Sequence, residues 1–219
     1  MSNGIHPIAS LLAAVARFIT GVQVQWAGCE PSERQRIYFA NHTSHLDFVV
    51  LWSALPSELR ALTRPIAAKD YWVETPLRRY LAENVFGAVL VERGAVGKTR
   101  SHEEARFVGR SLIEDLTAAL GEAHSLILFP EGTRGNGEKV GEFRGGLYHL
   151  ALRRPDVELV PAYLENMNRI LPKGEYLPVP MLSLLTFGKP IQLEPHENKD
   201  TFLERAREAV SSLRRIGLA

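Results

Sequence analysis

The chain has 219 residues, enough for one α/β domain with a sizeable core. Hydrophobic residues make up 45%, charged residues 23%, and the formal net charge is +1, which argues against a disordered chain and against a strong global pull toward nucleic acid. Cys29 is the single cysteine, which excludes an intrachain disulfide; nothing after Met1 resembles a cleaved export signal, and no uncharged apolar run reaches the ~20 residues that span a bilayer.

Ile5, Ile8, Leu12, Val15 and Ile19 recur three and four apart, the face of an amphipathic helix within residues 1–25, with Arg17 its only charge. That helix either packs on the domain or lies in a membrane interface. Four short apolar runs follow, Ile37–Ala40, Ala88–Val91, Leu126–Phe129 and Leu159–Ala162, each flanked by polar or turn residues and separated by helical patterns. Ser101 and Glu104 form a capping box opening a helix with Ala105, Val108, Leu112, Leu116 and Ala119 on one face. A second box at Thr201 and Glu204 opens a C-terminal helix carrying Leu203, Ala206, Val210 and Leu213. Residues 171–190 hold four prolines and read as a loop-rich excursion. Strands alternating with helices predict a single α/β layered domain over 1–219, its central sheet mostly parallel or mixed and flanked by helices.

Two blocks that follow apolar runs carry candidate chemistry. In Asn41-His42-Thr43-Ser44-His45-Leu46-Asp47, His42 and Asp47 would stand about 140° apart on a continuous helix. They meet if His42 ends the strand and Asp47 lies in the first turn of the next helix, with Thr43 or Ser44 as N-cap. The carboxylate then accepts from one imidazole nitrogen and leaves the other free as a base. A single His–Asp pair is more often a structural hydrogen bond, and His45 also neighbours Asp47. A metal set of His42, His45 and Asp47 lacks a completing ligand cluster. In Phe129-Pro130-Glu131-Gly132-Thr133-Arg134-Gly135, Arg134 offers a bidentate grip on phosphate, and Glu131 can hold that arginine or a substrate hydroxyl. Gly87–Gly94 brings Glu92 and Arg93 to the end of another run, and Val160-Pro161-Ala162 reads as core. Between Arg60 and Arg110 ten Lys/Arg stand against six Asp/Glu, either a solvated surface or a basic face for phosphate or anionic lipid. Gly97-Lys98-Thr99 lacks the upstream glycine of a P-loop, and no Gly-x-Ser-x-Gly elbow is present.

Taken together, Asn-His-x-x-x-x-Asp, then Gly-…-Glu-Arg about 45 residues on, then Phe-Pro-Glu-Gly-Thr-Arg, then Val-Pro-Ala, in that order, resemble the glycerolipid acyltransferase family, best known for acylating lysophosphatidic acid to phosphatidic acid. The resemblance makes 37–165 the catalytic region. It implies His42 as general base and Asp47 as its orienting acid, with Lys69, Arg93, Glu131, Gly132, Thr133 and Arg134 as acceptor-binding residues. Glu92 stands where the family usually has aspartate, and Gly135 where it often has serine. The implied partners are an acyl thioester donor (acyl-CoA or acyl-acyl-carrier-protein), a lysophospholipid acceptor and a membrane surface, with no nucleic acid. No metal or redox cofactor is implied, and no acyl-enzyme, because Cys29 lies outside every block. The expected location is cytoplasmic, on the inner face of the membrane.

Overall fold

β-branched and aromatic side chains suit a pleated strand covered on both faces, and the run at Ile37–Ala40 becomes such a strand, buried at every position. The computed structural model describes residues 7–92, 102–172, 175 and 177–216. In chain order its elements are α1 (Pro7–Thr20), β1 (Gln23–Trp26), β2 (Arg36–Ala40), α2 (Asp47–Ala54), α3 (Ser57–Leu62), β3 (Thr63–Ala68), α4 (Lys69–Trp72), α5 (Pro76–Tyr80) with a π-helical turn over Leu81–Val85, β4 (Val89–Val91), α6 (His102–Leu120), β5 (Ser125–Leu128), α7 (Gly146–Arg153), β6 (Glu158–Leu164), α8 (Met167–Ile170), β7 (Leu184–Phe187) and α9 (Lys199–Ile216).

The strands form one sheet in the order β1-β7-β6-β2-β5-β3-β4, and every neighbouring pair is parallel except β6 with β7. The expected mostly parallel α/β layering is therefore what the chain adopts. Alternation along β2 sends Tyr38 and Ala40 into a core with α1 and α2, and Ile37 and Phe39 into a second core with α6, α7 and α9. Both faces of the sheet are thus covered, as a parallel sheet requires. Central β2 ends between the carboxyl ends of β5 and β6, where open α/β sheets place ligands.

Three strands lie outside the four apolar runs. β1 alternates outward glutamines with Val24 and Trp26 at the sheet edge. β3 contains Arg64 and Pro65, and pairs with β5 through Pro65 and with β4 from Ile66 on, so the proline sits where the ladder changes partner. β7 corrects the loop reading of residues 171–190: Phe187 is fully buried, stacks on Trp26 at 4.1 Å and meets Tyr38 edge-on.

The helix expectations shift as well. In α1 the docked residues are Ala9, Ala13 and Thr20 with Leu12 against the core, and the outward stripe is Ile8, Leu11, Val15 and Phe18. Ile5 lies outside the described residues. In α6 the expected Leu112, Leu116 and Ala119 do face the core, joined by Ile113 and Leu120, while the side chains of Ala105 and Val108 and the Ser101 cap lie outside the described residues. α9 is capped by Asn198, whose Oδ1 accepts from the Thr201 N–H at 3.0 Å, so the cap lies three residues before the expected Thr201.

Candidate active site

β2 delivers its last residue, Ala40, to the carboxyl edge of the sheet, and Asn41 fastens that edge. The Asn41 side chain donates to the Leu164 carbonyl at 3.0 Å and accepts from the Leu164 N–H at 2.8 Å, extending the β2–β6 ladder by a side-chain rung. The next residue, His42, therefore starts from a fixed point. Its Nδ1 lies 2.9 Å from Asp47 Oδ2, and its ring stacks on Phe129 at 4.5 Å. Asp47 is wholly buried and opens α2, where a carboxylate also meets the positive end of the helix. The same Oδ2 accepts from the Thr43 N–H at 2.6 Å and the Ser44 N–H at 2.8 Å. Neither Thr43 nor Ser44 is the N-cap; Leu46 occupies that position, and the aspartate reaches back to the turn instead.

This arrangement sets the histidine's tautomer. Carboxylate and two N–H donors leave Oδ2 no role but acceptor, so Nδ1 carries the proton and Nε2 presents its lone pair. Among the described residues Nε2 has no hydrogen-bond partner. His45 stacks on Tyr71 at 4.7 Å. Asp47 Oδ1 and Thr43 Oγ1 are buried without a partner among the described residues. Ser44 Oγ donates to the Leu171 carbonyl at 3.0 Å, tying the turn to the segment after α8.

The second block arrives on the neighbouring strand β5. Glu131 is buried, and its oxygens hold backbone rather than Arg134: Oε1 accepts from the His42 N–H at 2.7 Å and Oε2 from the Gly141 N–H at 3.0 Å. Burial pushes the Glu131 carboxyl up, with the two backbone donors pulling it down in part. The native state therefore binds this proton more readily than the unfolded chain does. Stability should fall as pH rises from the ordinary carboxyl range through the raised folded value. Glu131→Gln should lack that slope in urea titrations across pH. It should also cost about 1–3 kcal/mol, because an amide can accept from only one of the two N–H groups.

Gly132 turns at φ +68°, and Gly135 closes the loop by donating to the His42 carbonyl at 2.8 Å. A Cβ at Gly135 would stand 3.4 Å from Glu131 Oε2, so the serine common in the resembled family fits there. Arg134 is half-buried, and its side chain makes no hydrogen bond or ion pair among the described residues. Thr133 is exposed on the same turn. Lys69 follows β3 as Glu92 follows β4, and the two pair at 3.3 Å in solvent. Arg93 lies outside the described residues. The structure thus brings His42, Asp47, Glu131, Gly132, Thr133 and Arg134 together through direct bonds or a shared turn, with Lys69 on the same sheet edge.

Arg93, Lys98, Arg100 and the Arg106 side chain of the basic stretch lie outside the described residues, and most of its described cations are engaged within the protein. Arg60 is buried against the Trp52 ring, Arg64 reaches the Ala119 carbonyl, and Arg78, Arg79 and Arg110 pair with Glu74, Glu83 and Glu114. Cys29 lies beside Arg36 and Glu158, at the amino ends of β2 and β6 and so across the sheet from His42. Burial, against the pull of Arg36 and with a push from Glu158, raises its thiol. Sequence reading passed over Asn41's ladder role, the Phe129 ring and Arg144, whose side chain lies against Gly132. Asn41 and Phe129 were visible as members of their blocks; nothing in the pattern around Arg144 marked it.

A histidine paired with a buried acid thus stands at the carboxyl edge of a mostly parallel sheet, on loops that also carry Arg134, which makes no ion pair among the described residues. Residues 22–165 match the Acyltransferase family model, and the chain belongs to that family. It is 25% identical over 185 residues to a 1-acyl-sn-glycerol-3-phosphate acyltransferase of Limnanthes douglasii, covering 84% of this chain and 60% of that one. It is 31% identical over 123 residues to a lyso-ornithine lipid O-acyltransferase of Pseudomonas aeruginosa, covering 56% of this chain and 40% of that one. The chain thus spans less than two thirds of these relatives' length. The crystal structure of the 1-acyl-sn-glycerophosphate (LPA) acyltransferase of Thermotoga maritima superimposes with a TM-score of 0.70 at 19% identity, over 97% of this chain and 79% of that one, and shares the fold.

Proposed function

We propose that the chain transfers a fatty acyl group from acyl-CoA or acyl-acyl-carrier-protein to the free hydroxyl of lysophosphatidic acid, giving phosphatidic acid. The observation that carries this is the open Nε2 of His42, its ring held by buried Asp47, on a loop bonded to the turn of Arg134, which has no ion pair among the described residues. Nε2 takes the hydroxyl proton as the oxygen attacks the thioester carbonyl. The new C–O bond forms, the C–S bond breaks, and the imidazolium returns its proton to the leaving thiolate. The exchange is redox-neutral and needs no metal or redox cofactor. Arg134 holds the phosphate, with Lys69 and Arg93 as further cations, and Gly132 and Thr133 shape the turn beneath it. The family membership and the named relatives support this reading.

A second acceptor has its own support: the relative that acts on lyso-ornithine lipid. An amino-acid lipid would offer Arg134 a carboxylate in place of a phosphate. Incubating the purified protein with labelled acyl thioester and a panel of lysophosphatidic acid, glycerol 3-phosphate, lysophospholipids and a lyso-amino-acid lipid, then weighing the products, separates the two. Phosphatidic acid as the main product supports the first reading, and acylated amino-acid lipid alone replaces it.

The lipid product also calls for a membrane surface, since each buried methylene favours an apolar phase by ~0.8 kcal/mol. Among the described residues no helix is long and apolar enough to cross a membrane. We assign the contact to the outward stripe Ile8, Leu11, Val15 and Phe18 of α1, with Leu177, Val179 and Leu182 beside it; Phe18 is 88% exposed. Leu182 lies against Gly21, directly after α1, which joins the two segments. Leu11→Ser with Phe18→Ser should lower vesicle sedimentation at least ~10-fold without changing the melting temperature. Leu12→Ser should destabilise the fold instead, because Leu12 packs on the core. Wild-type protein that stays in the supernatant with anionic vesicles at low salt removes the membrane role.

A further inference from the structure

We propose that Arg144 is a second arginine on the acceptor's phosphate, laid across Gly132 so that it and Arg134 grip one anion from a single turn. This rests on the reading above, that the acceptor carries a phosphate.

The contact is unusually close. A Cβ on Gly132 would lie 2.7 Å from Arg144 Nε, 2.8 Å from Cδ and 3.0 Å from Cζ, so a side chain there would displace the Arg144 guanidinium from its resting place. Glycine at 132 therefore serves two ends: it adopts the φ of +68°, and it leaves the slot in which the Arg144 side chain rests. The backbone fixes the same approach, because the Arg144 N–H donates to the Pro130 carbonyl at 2.8 Å. At the other end of this turn the Gly135 N–H holds the His42 carbonyl. One turn, Pro130 to Gly135, thus links Arg144, Arg134 and the loop bearing the base.

Charge is the second line. Arg78, Arg154, Arg205 and Arg207 each pair with a carboxylate. Arg144 and Arg134 make no side-chain hydrogen bond or ion pair among the described residues. Glu131, the acid within their turn, is buried with both oxygens on backbone N–H groups, and it neutralises neither. Two guanidinium forks without a counter-ion among the described residues, one on the turn and one laid against it, suit a doubly charged phosphate, whose three terminal oxygens can be shared between them. A carboxylate brings only one charge and two oxygens to the same pair.

The test compares a short-chain lysophosphatidic acid with the matching monoacylglycerol, which lacks the phosphate. In Arg144→Gln the KM for the phosphate acceptor should rise at least ~10-fold, as expected for loss of a charge-assisted bidentate contact. Turnover, the KM for acyl-CoA and the slow rate with monoacylglycerol should stay near wild type. Arg144→Lys should recover part of the loss, since it keeps the charge without the fork. Calorimetric titration with the same lysophosphatidic acid, with no donor present, should show binding by wild type and its weakening in Arg144→Gln. The melting temperature should move little, because this exposed side chain makes no hydrogen bond or ion pair among the described residues. If wild type acylates lysophosphatidic acid and Arg144→Gln matches it in KM and in binding, the inference falls and the proposed function stands. Equal losses with both acceptors, or a marked fall in melting temperature, give Arg144 a structural role and also overturn it. If wild type neither binds nor acylates the phosphate acceptor, the proposed function falls, and the two-arginine grip with it.

Discussion

His42→Ala should lower turnover at least ~100-fold, the usual scale for loss of a positioned general base. Nε2 is the ring nitrogen of His42 left without a partner among the described residues, and its removal leaves the thioester facing an undeprotonated hydroxyl. The fold should persist, because the ring is partly exposed and its main packing contact is the Phe129 face. Steady-state kinetics alongside thermal melting separate the two effects. His45→Ala should be milder, since that ring rests on Tyr71. A His42→Ala enzyme with near wild-type turnover removes His42 from the mechanism, and a more damaging His45→Ala transfers the role to His45.

Asp47 should show the largest combined effect. Asp47→Ala strips one acceptor from three donors, His42 Nδ1 and the Thr43 and Ser44 N–H groups, at a wholly buried position. Each buried N–H left unsatisfied costs about 1–3 kcal/mol, so the variant should lose several kcal/mol of stability along with its activity. Asp47→Asn keeps an oxygen for the turn but no carboxylate for the imidazolium, and it frees the histidine to take the wrong tautomer. Its activity should fall about 10²- to 10⁴-fold with a smaller loss of stability than in Asp47→Ala. Urea unfolding and kcat on both variants provide the comparison. Asn and Ala variants that are equally unstable, with Asn fully active, would make Asp47 a structural acid only.

Much of the site was legible because its residues are local in sequence. His42 and Asp47 share one strand-to-helix turn, and Glu131 to Arg134 share another, so spacing after an apolar run located both. What spacing could not show was the traffic between the turns. Glu131 has the chemistry of a substrate ligand, but its oxygens are taken by the N–H groups of His42 and Gly141, a pairing that exists only once β2 and β5 lie side by side. Arg144 was invisible for the same reason, since it meets Gly132 only through the folded turn. The strands hidden from the pattern are those that break its rules: β1 is half polar, β3 carries a proline at its change of partner, and β7 sits in a proline-rich stretch. In α1 the apolar residues surround most of the helix, so period alone could not choose the docked face. Alanines at 9 and 13 choose it, because their small side chains let α1 approach α2 closely.

Acyl transfer to the hydroxyl of a phosphate-bearing lipid, with His42 as base, is the function we propose. Following thiol release from acyl-CoA and, by mass spectrometry, the lipid product from isotope-labelled lysophosphatidic acid, with wild type and His42→Ala in parallel, tests both halves at once. Wild type should form one phosphatidic acid per thiol released, and both signals should fall together at least ~100-fold in the variant. Thiol release that yields free fatty acid with no phosphatidic acid, or a product that forms equally well without His42, would contradict it.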